Sequence, residues 1–375
     1  LAYSLYGFFF VFLQSNEVVT KKDVMGINTL KIAESRIKEL DSTNIQFGKT
    51  YSDHMLISDY KDGKWGEPQI LPYGDISMSP ATTFIHYGQS IFEGVKAYRN
   101  KDNNVKIFRP YDNWNRFNIS ADRMGMPDVP ESIFVEGMRQ LIELDQNWVP
   151  NAEGSSLYIR PFMFATDAFI GVKPAEEFRF MIITSPAGAY YNKPTRIYMQ
   201  NKYVRAFKGG VGFAKAAGNY AACMKPMMEI RKEGYDQILW TDGIEHKYVQ
   251  EIGTMNVFFV IGNTIITPEL SESILAGITR DSALKLLAEK GYEIQERPLS
   301  IDEIKAAYAN GQLREAFGAG TAAVIAPIAE LYYEGDTISL PPVDEWEVAN
   351  WLKNELADIR YGRLEDKHNW MFSVC

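Results

Sequence analysis

Apolar positions along the chain switch between the two-residue spacing of strands and the three-to-four-residue spacing of helices, without a regular strand–helix–strand order. From Thr50 to Phe108 short apolar runs are punctuated by turn residues, so "SDHMLISDY", "KDGKWGE", "SIFEGVKAYRN" and "KDNNVKIF" read as strands. "RPYDNWNRFNISADRMG" predicts a helix behind its Pro and Asp start, and "PESIFVEGMRQLIELDQ" repeats apolar residues at i, i+3 and i+4. "SSLYIRPFMFA" and "EFRFMIITSPA" are strands again, as are "DQILWTD", "HKYVQEI" and "NVFFVIGNTIIT", the last folded on a Gly-Asn turn. "TRDSALKLLAEKG" is a helix closed by Gly291, "SIDE" from Ser300 is a capping box, and "VDEWEVANWLKNELADIR" is an amphipathic helix near the end.

"GAYYNKPTR", with Gly188 and Pro194, is the best linker candidate. The expected partition is an N-terminal extension over 1–39, partly disordered, a small α+β domain over 40–187, a linker over 188–198 and a large α+β domain over 199–375, with a cleft between the domains. "LAYSLYGFFFVFL" is apolar but too short to span a bilayer and lacks a basic segment before it, so the preferred reading is an upstream extension of the reading frame ahead of Met25, with a signal peptide or interfacial anchor as the alternative. No membrane partner is expected.

Net charge is −9 with a pI near 5.2 and no long Lys/Arg block, which argues against a nucleic-acid surface. The two cysteines, Cys223 and Cys375, cannot build a disulfide framework and fit a reducing, cytoplasmic setting. Four scattered histidines show no metal-ligand spacing, so no metal is expected.

One lysine changes the picture. In "GGVGFAKAAGNYAAC" Lys215 has no acid within six residues on either side and is flanked by small residues that let a planar ring approach. Burial disfavours the charged form of a lysine, and a neutral amine is what bonding to an aldehyde requires. A solvated loop lysine is the bland alternative. Glu251, in "KYVQEIGTMN", shares a strand face with Val249, where a carboxylate needs a cation or a protonated ring nitrogen. The wet face of an edge strand is its alternative. Two Gly/Thr turns, "AGITRD" and "GAGTAA", either aim backbone N–H groups at an anion or are plain loops. Pro327 lies too close behind the second for a dinucleotide-binding helix.

Taken in order, "FGKTYSDHM", "HYGQSIFEGVKAYR", "RPYDNWNRF", "SLYIRP", "AKAAGNY", "EIGTMNVFFV", "AGITRD" and "FGAGTAAVIAP" resemble the branched-chain amino acid aminotransferases over nearly all of residues 40 to 375. These are pyridoxal 5'-phosphate enzymes of fold type IV, so the resemblance implies a two-domain α+β fold with its active site in the cleft. It implies that Lys215 bonds to the cofactor's aldehyde carbon and shuttles the proton. It gives Glu251 the pyridine nitrogen, Tyr220 the ring hydroxyl, and the phosphate to Arg116, the backbone of Ile278 and Thr279, and the Thr321 hydroxyl. Phe47, Tyr87, Tyr158, Arg160, Val172, Tyr190, Thr254 and the Thr321–Ala322 turn match substrate-binding positions, with Tyr87 and the Val172 loop supplied by the second subunit of a homodimer. Some animal members carry a Cys-x-x-Cys where this chain has Ala323 and Ala326, so no thiol switch is expected there.

The activity so implied is reversible ping-pong transamination between L-Leu, L-Ile or L-Val and 2-oxoglutarate, with glutamate sharing the pocket. The alternatives are a D-amino acid aminotransferase, a 4-amino-4-deoxychorismate lyase, or a catalytically dead ligand-binding relative.

Overall fold

The computed structural model describes residues 27–42, 44–188 and 193–374. Residues 1–26 of the expected 1–39 extension, and Tyr190, lie outside the described residues. Two sheets organise the chain. The spine of the first runs through neighbouring antiparallel strands His54–Lys61, Phe178–Ala187, Ser156–Ala165, Val95–Arg99 and Val105–Phe108. One face of this sheet packs on the helices Pro110–Arg123 and Gly137–Leu144. The apolar spacing of these helices aims Phe117, Met138 and Leu141 inward, joined by Phe134 from the preceding turn Ser132–Glu136. Phe117, Phe134 and Phe180 meet with ring centroids 5.3, 5.5 and 5.6 Å apart. Each such ring removed from water contributes about 1.5–3 kcal/mol.

The second sheet closes on itself. Val249–Ile252, Gln237–Thr241, Thr195–Met199, Val324–Tyr333, Leu313–Gly320 and Met255–Ile261 follow one another, and the last pairs back onto the first. Both faces of Met255–Ile261 are covered, which is why the run is almost continuously apolar. Phe258 and Val260 meet the helices Ile278–Glu289 and Val348–Arg360, whereas Val257 and Phe259 point to the opposite core with the helix Ile301–Ala309. Ser300 caps that helix, its Oγ accepting the Glu303 N–H at 3.1 Å.

Three boundaries differ from expectation. Thr195–Met199 is a parallel strand inside the second sheet, not linker, because a five-residue run beside a proline is too short to reveal its alternation. The described end of the 1–39 extension is anchored: Asn28–Thr29 pairs with Gln69–Pro72, and Ile27 joins the first core. Residues 371–373, expected in the second domain, return to pair with Val105–Phe108 of the first sheet. No helix among the described residues is long and apolar enough to cross a membrane.

Candidate active site

Lys215 sits where the two sheets meet. Its N–H donates to Ser120 Oγ on the helix Pro110–Arg123 at 2.9 Å, and its C=O accepts the Phe92 N–H of the first sheet at 3.1 Å. The backbone is thus clamped by the first unit while the side chain enters a cavity of about 480 Å³ between the units. Its Nζ lies 2.9 Å from Tyr220 Oη and 5.0 Å from the centroid of Phe92. The five-residue separation and the short helix Ala217–Ala221 bring amine and phenol together. The lysine is half-buried rather than sealed, because the cavity itself reaches it; among the described residues no carboxylate forms an ion pair with it.

The same cavity is lined by Arg116, Ile278, Thr279, Thr321, Ala322, Phe47, Tyr158, Arg160 and Thr254. At one wall the helix Ile278–Glu289 begins at Gly277, which offers no side-chain cap, so the first-turn N–H groups face the cavity without one. A Cβ on Gly277 would collide with Asn256, so only glycine permits this approach of helix to strand. Arg109 fixes the helix, donating from Nη1 to Ile278 O, Asp281 and Ser282 while its other edge pairs with Asp112.

Arg116 is buried and held by a residue the sequence reading did not single out. Its Nε and Nη2 donate to the two oxygens of fully buried Glu93 at 2.7 and 2.8 Å, and Nη1 donates to Ala276 O at 2.9 Å. Burial works against the guanidinium's charge, but Glu93 overrides it and holds the pKa above its ordinary value.

Glu251 does not line the Lys215 cavity. It lines an adjoining cavity of about 210 Å³ that shares Tyr220, Thr254 and Leu275 with the first. Its strand closes the second sheet, which buries the carboxylate against Arg205 Nη2 at 2.9 Å and the Leu275 N–H at 2.7 Å. Burial pushes this carboxyl above its usual range, opposed by Arg205 and that N–H. Arg205 was the second residue missed, since nothing in its spacing marks it as a partner.

On the substrate side Phe47 meets Tyr158 edge-on at 4.8 Å between centroids. Arg160 donates to Tyr158 Oη at 2.7 Å and lies over Phe92. Its Nε has no partner, so the guanidinium keeps donor capacity beside the cavity. The strand Leu313–Gly320 ends in the Thr321–Ala323 turn, and Val324 beyond it takes a left-handed φ of 60°, unusual for a β-branched residue. Tyr87 and Val172 do not line the cavity of their own chain; the Tyr87 hydroxyl donates to Ile170 O, and both side chains are exposed.

An amine beside a phenol thus shares one cavity with an uncapped helix start, and a buried carboxylate lies in the adjoining cavity. The family profile described as "Amino-transferase class IV" matches residues 90–331, and the chain belongs to this family. A probable branched-chain-amino-acid aminotransferase of Staphylococcus aureus (strain MRSA252) is 48% identical over 350 residues, 92% of this chain and 98% of that protein. Branched-chain-amino-acid transaminase 1 of Bacillus subtilis (strain 168) is 45% identical, over 89% and 95%. Among solved structures, the branched-chain amino acid aminotransferase from Escherichia coli superposes with a TM-score of 0.69 at 26% identity, covering 86% of this chain and 99% of that one. A second, the T.th. branched-chain amino acid aminotransferase complexed with N-(5'-phosphopyridoxyl)-L-glutamate, gives a TM-score of 0.67 at 27% identity, over 85% and 98%.

Proposed function

We propose that the chain is a pyridoxal-phosphate-dependent aminotransferase that exchanges the amino group of L-leucine, L-isoleucine or L-valine with 2-oxoglutarate. The observation that carries this reading is the Lys215–Tyr220 pair at 2.9 Å, facing the open helix start across the cavity. The residues fit the cofactor: Lys215 for its aldehyde, Tyr220 for its hydroxyl and Glu251 for its ring nitrogen, reached from the adjoining cavity. Arg116, Thr321 and the N–H groups of Ile278 and Thr279 would take its phosphate. When bound, the cofactor supplies an electron-accepting ring.

Lys215 Nζ is the base that takes the proton from the substrate Cα, and Tyr220 Oη orients that amine. Glu251, paired with Arg205, would hold a proton on the ring nitrogen of a bound cofactor. Glu93 aligns Arg116 by its two-point contact. Phe47, Tyr158 and Phe92 form an apolar wall that excludes water and accepts an aliphatic side chain. Arg160 gives glutamate's second carboxylate a donor in the same pocket, and the Thr321–Ala322 turn faces the α-carboxylate.

A homodimer completes the site. Ile85, Tyr87, Phe169, Ile170 and Val172 are exposed on two hydrogen-bonded segments, and apolar exposure of this kind marks a contact surface. Tyr87 and Val172 would thereby reach the partner's cavity. The two sheet units are the domains of this reading, and a cytoplasmic setting suits free Cys223.

The test is a half-reaction. Cofactor-loaded protein mixed with L-leucine alone should lose the cofactor's visible absorption band, and 2-oxoglutarate should restore it. Turnover of D-alanine or aminodeoxychorismate without L-leucine would replace this assignment with another of the same family.

A further inference from the structure

Behind the Thr321–Ala323 turn lies another cavity, of about 340 Å³, that the proposed reaction does not use. Among the described residues its charged lining is cationic, Lys96, Arg360, Lys193 and Lys353, with no acidic side chain. Two of the four are deeply buried, Lys96 at 5% and Arg360 at 3% exposure. Neither has an ion-pair partner among the described residues. Lys96 Nζ donates to Ala322 O at 3.0 Å, while Arg360 stacks on Phe108 with its Nε lacking any hydrogen-bond partner. Ser156 Oγ, 1% exposed and lining the same space, is also unpartnered.

Buried charges and hydroxyls are ordinarily paired, because stripping them of water is costly. Two unpaired cations and a free hydroxyl around one hollow leave that requirement unmet, and an anion would meet it. Burial, reinforced by Arg360, already pushes Lys96 down to about 7, the direction expected where cations face one another without a counter-ion. The other ionisable groups facing it across the cavity are Tyr98, Tyr361, Lys193 and Lys353, none of them an acid that could serve. Exposed Lys193 and Lys353 mark the mouth through which an anion would enter.

We propose that this cavity is a second, anion-binding site for a small oxyanion carrying two negative charges, coupled to the active site through Ala322. Ala322 belongs to the walls of both cavities. An anion that draws the Lys96 ammonium away from Ala322 O frees the turn on the other side of which substrate sits.

The test titrates cofactor-loaded enzyme, at constant ionic strength, with malonate in one arm and inorganic phosphate in the other, following heat. Saturable binding of one or both is expected, the arm that responds telling a carboxylate source from a phosphate source. In Arg360→Gln the affinity should weaken by roughly tenfold or more, as loss of a charged donor predicts. If that variant does not fold, Lys353→Glu at the exposed mouth carries the same expectation. No saturable binding in either arm, or binding undiminished in the variants, overturns the site. The coupling is tested separately: the bound anion should change KM for 2-oxoglutarate in wild type but not in Lys96→Met, and an unchanged wild-type KM overturns it.

Discussion

Glu251 should matter to the protein even before any cofactor binds. The carboxylate is 4% exposed and meets Arg205 Nη2 at 2.9 Å, with Leu275 N–H and Asn256 Nδ2 donating to its other oxygen at 2.7 and 3.3 Å. Arg205 is itself buried, with an Nε that has no partner, so it depends on this carboxylate. Removing one member of a buried pair strands the other and costs about 3–5 kcal/mol. Glu251→Leu should therefore destabilise the apo protein by that order. Glu251→Gln keeps an acceptor for Leu275 and should lose about 2 kcal/mol, the scale of a charged hydrogen bond. The double variant Glu251→Leu/Arg205→Met removes both charges and should recover most of the loss. The assay is urea unfolding of cofactor-free protein followed by tryptophan fluorescence, reading midpoint and slope together. A Glu251→Leu protein as stable as wild type, or a double variant no better than the single, would refute the buried-pair reasoning.

Two further outcomes rest on other carboxylates that accept backbone N–H groups. Glu315 is 2% exposed and accepts the N–H groups of Glu347, Val348 and Ala349 at 2.9, 2.9 and 2.8 Å, acting as a cap supplied from a strand. Glu315→Gln turns one acceptor into a donor against those groups and should cost about 2 kcal/mol in thermal or urea unfolding. Asp242 accepts four backbone N–H groups, from Ile244, Glu245, Lys247 and Tyr248, which override burial and hold its pKa down to about 2. A lowered carboxyl contributes stability above its ordinary value and loses it as pH falls through about 2. Asp242→Asn should thus be less stable than wild type near neutral pH and converge with it at the acid end of a pH series.

Much of the site is readable in the chain because its residues keep local company. Lys215 stands out for its small neighbours, and Tyr220 follows within one short helix. The start of Ile278–Glu289 is visible as a Gly/Thr turn before an apolar period. Glu93 and Arg205 are not visible, because their partners are fixed by the fold rather than by spacing. Glu93 lies 23 residues before Arg116, in the link between the strands Ser90–Phe92 and Val95–Arg99. Lys96 looks like the polar residue of an alternating strand and becomes notable only once Arg360 and the second sheet bury it. The strand Met371–Ser373 is three residues long, and its pairing with Val105–Phe108 spans most of the chain, beyond the reach of any periodic pattern.

The lysine assignment is tested most directly by reducing the cofactor-loaded protein with borohydride and mapping the labelled peptide. The label should fall on Lys215, within "GGVGFAKAAGNYAAC", and Lys215→Ala should neither take the label nor sustain multiple turnovers. A label on Lys96 or any other lysine, or a Lys215→Ala enzyme with wild-type turnover, would contradict it.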